Sequence, residues 1–204
     1  GGSIRIPASA CGLVGLKPSR GRNPTGPQAP DIWWGFIGEH VVTRTVRDCA
    51  ALLDATAGDY PQQLMKLPAP ERPFLEETRR DAGRMRIAFS YDPGLGKALH
   101  AENRKALETT AAHLDRLGHE VVEVRLPLPP ETFLECYASL ISADVAATLR
   151  MASTIVGREA TSDDVELATW ILAKMGEAQS AADVASSLWT MQAFSRQWLA
   201  WSAS

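Results

Sequence analysis

Met85-Arg86-Ile87-Ala88-Phe89, a run over residues 101–117, then Gly118 and Val121-Val122-Glu123-Val124 form the stretch from which the architecture is read. The first string is short, apolar and bounded by polar residues, as a strand is. The run over 101–117 spaces Leu107, Ala111, Leu114 and Leu117 for a helix with one face turned inward. Gly118 follows as a stop signal, and Val121 opens a second strand. A helix between two short strands is a crossover, not a hairpin, so the strands are expected to pair in parallel. The fold class predicted is α/β.

Downstream, Pro127, Pro129 and Pro130 break the chain, and residues 131–204 are nearly all helix formers. Helices are predicted over 131–156, 162–175 and 180–203, the second capped by Thr161 with Asp164 at N3. Trp189, Trp198 and Trp201 belong to the last of these and are expected in the core of a helical lobe, or lining a substrate funnel in an intact enzyme.

Upstream, four prolines and many charges over 59–83 read as a long surface crossing. Thr45-Val46-Arg47-Asp48 has the form of a capping box with Asp in place of Glu. The helix after it presents Val46, Cys49, Ala50, Leu53 and Ala57 on one face and stops at Gly58. Residues 1–31 are dense in glycine and proline, which predicts strand and turn pieces rather than helix, with 24–30 as exposed loop. Trp33-Trp34-Gly35-Phe36-Ile37 is an aromatic cluster, either core or the wall of a cleft.

Composition excludes several classes. Hydrophobic residues make up 45% of the 204 and charged residues 22%, which is globular rather than disordered. A net charge of -3 with no basic stripe gives no footprint for nucleic acid. No uninterrupted apolar run reaches the ~18 residues that span a bilayer. Cys11, Cys49 and Cys136 are odd in number and sit in apolar company, so buried free thiols in a reducing cytoplasm are expected. His40, His100, His113 and His119 lack metal-ligand spacing and lie near no cysteine, so no metal is expected and surface or capping roles are. Asp163-Asp164 and Glu76-Glu77 read as helix-terminal and solvated charge, and Gly94-Leu95-Gly96-Lys97 lacks the length and following hydroxyl of a P-loop.

The chemistry concentrates at Gly1-Gly2-Ser3. Two residues without side chains let the backbone take positive φ and approach a ligand closely. Successive N–H groups in such a turn can converge on one carbonyl oxygen while the adjacent serine attacks its carbon. Read locally, the same three residues are more often a tight turn or an expression scar than a catalytic site.

The longer pattern decides between them. Gly1-Gly2-Ser3-Ile4-Arg5-Ile6-Pro7-Ala8, then Cys11-Gly12, Gly15-Leu16-Lys17-Pro18-Ser19 and Gly21-Arg22, closely resembles the C-terminal half of the amidase signature. Thr43-Arg44-Thr45-Val46-Arg47-Asp48 with Leu52-Leu53-Asp54 resembles that family's second well-kept stretch, and the likeness fades after about residue 130. The resemblance implies an α/β amidase-signature core over 1–128 with the nucleophile loop and βαβ unit, and a helical substrate-side lobe over 129–204. It implies Ser3 as the nucleophile of a Ser-cisSer-Lys triad and the N–H groups of Gly1, Gly2 and Ser3 as part of the oxyanion hole. Arg5 would be a buried or half-buried structural cation, paired in the family with an aspartate upstream of this chain, the alternative being a surface arginine. Lys17 is not the family's catalytic lysine, which lies far upstream, as does the bridging serine.

The chain is therefore expected to be a middle piece of the enzyme, inert on its own because Ser3 lacks its base. The partners implied are a small-molecule amide, the remaining parts of the enzyme and a second copy. No cofactor, membrane or nucleic acid is implied. Gly21-Arg22-Asn23-Pro24 and the Trp33 cluster resemble bacterial amidases of the cyclic-dimer hydrolase type, with the A-type subunit of tRNA-dependent amidotransferases as the second choice. A non-catalytic scaffold is the rival from a different class.

Overall fold

The breaker-rich N-terminal stretch contains a helix, contrary to the strand-and-turn expectation. The structure, a computed structural model, describes residues 2–25, 33–58, 61, 63, 65–92, 98–127 and 129–203. Helix α1 spans Arg5–Cys11 and includes Pro7 at its third position. First-turn N–H groups have no intrahelical acceptor, so a proline there forfeits no hydrogen bond. The count of prolines was thus misleading, because position within the turn decides their effect. Most of the loop expected over 24–30, and Gly94 to Lys97, lie outside the described residues.

By its contacts the chain divides into two compact units, Gly1–Asp81 and Ala82–Ser204. In the first, strand β1 (Val14–Gly15) pairs antiparallel with β2 (Val42–Thr43), placing Val14 opposite Thr43. α1 lies so close to β1 that a Cβ on Gly15 would sit 2.7 Å from the Ala8 Cβ and 2.9 Å from the Ile4 carbonyl oxygen. Helix α2 (Val46–Thr56) starts where expected, the Thr45 hydroxyl accepting from the Asp48 N–H at 3.0 Å. It buries Cys49, Ala50 and Leu53, whereas Val46 is exposed. It ends at Ala57 in extended backbone, so Gly58 is not a left-handed stop.

The crossing that follows is tied down by side chains reaching backbone. Asp54 Oδ1 and Oδ2 accept from the N–H groups of Phe74 (2.6 Å) and Leu75 (2.8 Å), which open the short helix α3 (Phe74–Glu77). Gln63 Nε2 donates to the Gly21 carbonyl at 2.7 Å, and Arg22 Nη1 donates to that of Pro68 at 3.0 Å. Trp33–Gly35 is a single 3-10 turn with Trp33 and Trp34 at φ 55° and 57°. Trp34 and Phe36 are exposed there, and the Arg20 guanidinium lies over the Phe36 ring at 4.7 Å. The aromatic cluster is a surface wall, not core.

In the second unit, β3 (Arg86–Phe89) and β4 (Glu120–Glu123) pair in parallel as expected, in register from Arg86 opposite Glu120 to Phe89 opposite Glu123. The crossover helix α4 (Ala101–Arg116) half-buries Leu107, Ala111 and Leu114. Leu117 falls outside it and is exposed, because the chain leaves the helix there and turns through Gly118 at φ 91°. His100 caps α4 by accepting the Glu102 N–H at 3.3 Å, and the His119 ring accepts from the Met85 N–H.

Helices α5 (Pro130–Val156), α6 (Leu167–Glu177) and α7 (Ala181–Ser202) follow, and α6 and α7 both pack on α5. The division expected at 128/129 falls inside this unit, between its βαβ part and its three helices. Among the described residues α5 alone is long and apolar enough to cross a membrane, and its stripe of Cys136, Leu140, Ser142 and Ala146 is buried against its neighbours. α6 begins at Leu167 rather than 162, although Thr161 does meet Asp164. The Asp164 carboxylate accepts from the Thr161 N–H (2.8 Å) and pairs with Arg158 at 2.6 Å, which closes a turn instead of starting a helix. The true capping box in this region is Ser180 with Asp183, at the start of α7. Trp189 and Trp198 are exposed, not lobe core. Nine residues is about two and a half turns, so one helix face cannot bury both.

Candidate active site

Ser3 occupies the turn that feeds α1. Gly2 precedes it at φ 130°, a conformation that L side chains rarely adopt, and a Cβ there would meet Ile6 Cδ1 at 2.7 Å. The Gly2 carbonyl accepts from the Ile6 N–H at 2.7 Å, so the chain turns into the helix across Ser3. Ile4 is buried and anchors the turn from below, leaving Ser3 itself exposed. Among the described residues, the Ser3 hydroxyl and the N–H groups of Gly2 and Ser3 have no hydrogen-bond partner. A free hydroxyl beside unpaired N–H groups is a minimal set for attack on a carbonyl and for holding the oxyanion that forms. Gly1, the third expected donor, lies outside the described residues.

The other expected participants stand apart from this group. Arg5 is exposed on α1 and has no ion pair among the described residues. Lys17 donates from its ammonium to the Pro18 carbonyl. No group of three metal-ligating side chains occurs among the described residues. Cys49 and Cys136 are buried free thiols, but Cys11 is exposed at the end of α1, because only Ile4 and Ala8 of that segment face inward.

One contact escaped the local reading. His40 Nε2 lies 3.3 Å from Cys49 Sγ, brought there by β2 and the first turn of α2. The nine-residue separation crosses a strand and a helix cap, so no spacing rule marks it. Cys49 is buried and His40 half-buried, so the pair packs the inside of the unit. A cavity of about 290 Å³ lies near it in sequence, lined by Gly21, Arg22, Asp54, Gly58, Leu67 and Phe74, and it does not include Ser3.

Comparison with known proteins settles the family. A family model described as Amidase matches residues 1–198. The chain belongs to the amidase family. The 6-aminohexanoate-cyclic-dimer hydrolase of Paenarthrobacter ureafaciens is 36% identical over 180 residues, which is 86% of this chain and 36% of that protein. A putative amidase of Synechocystis sp. is 35% identical over 149 residues, 72% of this chain and 28% of its own. A solved structure of 6-aminohexanoate cyclic dimer hydrolase superposes on 98% of this amidase chain and 42% of its own, with a TM-score of 0.88 at 32% identity. A bacterial aryl acylamidase shares the fold at a TM-score of 0.73. The chain thus spans well under half the length of the amidases it matches, and its α/β fold is theirs.

Proposed function

We propose that Ser3 is the nucleophile of a hydrolase that cleaves carboxamide C–N bonds through an acyl-enzyme. The observation that supports this is the turn itself: Gly2 at φ 130° beside an exposed, unpartnered Ser3, within a chain of the amidase family. Ser3 Oγ attacks the amide carbonyl carbon, and its proton passes through a serine–lysine pair to the leaving nitrogen. The C–N bond breaks to leave an ester on Ser3, which water hydrolyses to free the acid and restore the hydroxyl. The N–H groups of Gly2 and Ser3, with Gly1, hold the oxyanion.

No residue of this chain is assigned to the lysine or the bridging serine, so the 204 residues alone are expected to be inert. The relatives named for cyclic-dimer hydrolysis make small cyclic amides the first substrates to test. The free thiols fit a cytoplasmic setting, and the exposed Ile6, Val46 and Trp189 favour self-association or pairing with further parts of the enzyme.

Labelling with a fluorophosphonate probe, with and without an added segment carrying the lysine and serine, tests this reading. The chain alone should stay unlabelled. The reconstituted enzyme should label and turn over, and Ser3→Ala should lower turnover by at least about 1,000-fold. Turnover untouched by Ser3→Ala would show that the nucleophile is elsewhere. The absence of turnover from a well-formed reconstituted enzyme would favour the scaffold reading.

A further inference from the structure

The second unit holds an open cleft of about 730 Å³ at the carboxyl ends of β3 and β4, a volume within the range of small-molecule sites. Strand ends of this kind are where parallel sheets hold ligands, because the loops leaving neighbouring strands converge there. Ser90 and Tyr91 enter the cleft from the end of β3, and Arg125 from the end of β4. Arg104, in the first turn of α4, lays its guanidinium over the Tyr91 ring at 4.1 Å. Two acids, Asp92 and Glu123, border the same space as the two arginines. The opposite charges do not simply cancel. Arg104 pairs with Glu108 at 3.9 Å, outside the cleft, while Glu123 and Arg125 form no ion pair among the described residues. A plain anion here would face the two carboxylates and a plain cation the two arginines, each losing to repulsion much of what it gains. A molecule carrying both charges meets neither penalty.

We infer that this cleft binds a small zwitterion, a short peptide with free termini, its carboxylate on Arg104 and Arg125 and its ammonium on Glu123 and Asp92. The planar forks of two arginines suit a carboxylate, which accepts two parallel N–H bonds from each. Leu99 and Val124 line the cleft as well and give apolar surface to the body between the two charges. Ser90 Oγ accepts from the Asp92 N–H at 3.1 Å, which leaves its own O–H to donate to a peptide carbonyl. The inference rests on the cleft and not on Ser3.

Titrating the Ser3→Ala chain with glycyl-leucine at low salt, read by amide chemical shifts, removes hydrolysis from the test. Shifts should concentrate at residues 90–92, 104 and 123–125. Two size-matched controls isolate the charges: N-acetyl-glycyl-leucine lacks the ammonium, and glycyl-leucine amide lacks the carboxylate. Each should bind at least about tenfold more weakly than glycyl-leucine. Arg125→Gln should erase the preference over the amide, and Glu123→Gln the preference over the acetylated form, with the helical circular dichroism unchanged in both. Arg86→Gln, at the far end of the ladder, should leave all three affinities as they were. Shifts confined to other residues, no binding, or a blocked form that binds as well as glycyl-leucine would each overturn the inference. So would an equal loss of binding in Arg86→Gln, which would mark a diffuse charge effect and not a site. Either outcome of the fluorophosphonate labelling leaves this result untouched, so the cleft and the proposed nucleophile stand or fall separately.

Discussion

The two compact units hold themselves together by different means. In Gly1–Asp81 the regular elements are short, and side chains catching distant backbone do the joining: Asp54 to Phe74 and Leu75, Gln63 to Gly21, Arg22 to Pro68, Asn23 to Glu39. In Ala82–Ser204 the joining is close helix contact. Ala173 is fully buried, and Gly176 lies so near α5 that a Cβ on it would be 2.0 Å from the Ser142 carbonyl oxygen. Gln179 reinforces that crossing by donating to Ser142 Oγ at 2.8 Å and to the Ser139 carbonyl at 3.2 Å. Polar ties loosen one at a time, whereas a packed crossing gives way as a whole.

Gly176→Ala is the largest test of that difference. The added methyl meets backbone on both Ser142 and Ala143, which cannot rotate aside, so the two helices must separate. We expect a loss of about 3 kcal/mol and a fall in Tm of roughly 10 °C, seen as one cooperative shift in the helical signal. A change below about 1 kcal/mol would mean that the α5–α6 crossing is looser than its geometry states.

Asp54→Ala probes the other side of the comparison. It removes both acceptors of the Phe74 and Leu75 N–H groups, each a hydrogen bond to a charged group. The expected cost is about 2 kcal/mol, felt as faster amide exchange at 74–77 with the α2 amides little changed. Equal loosening of α2 would show that the crossing and α2 unfold together, and the contrast between the units would then be weaker than drawn.

What the sequence made legible follows the same line. Local signals placed α2, β3, α4, β4, α5 and α7 to within a few residues and α6 with a start five residues early, and the crossover rule supplied the parallel pairing of β3 and β4. Ties between distant residues leave no period. Nothing local marks Asp54 as the cap of a helix twenty residues on, or His40 as the neighbour of Cys49. The errors arose where identity was read without position. Pro7 breaks helices in general but sits where a helix needs no N–H, and Thr161 and Asp164 meet as a cap would but close a turn that does not run on into α6. For the candidate site, the Gly-Gly-Ser string pointed to the turn that carries Ser3. The exposure of Arg5 had no signal, because burial depends on what packs against α1 and not on α1 itself.

The smallest expected effect lies in the turn that precedes α6. The Asp164 carboxyl is held well below the usual carboxylate range, first by the hydrogen bond from Arg158 and then by those from Thr161. Asp183, in the Ser180 capping box, is lowered by the Ser180 hydroxyl and N–H. A carboxyl whose folded value is depressed adds stability that is fully present above its unfolded value and lost as pH falls toward its folded one. Both ties should therefore hold at pH 7 and weaken progressively below about pH 4. Because both groups are exposed, the effect should be local and reduced by salt. Amide exchange at Thr161 and Ser180 should quicken, relative to intrinsic rates, between pH 4 and pH 2, with α5 unmoved over the same range. Asp164→Asn should remove the pH dependence at Thr161 and leave that at Ser180. If exchange at Thr161 were flat across that window, the Arg158–Asp164 turn would not be held by charge.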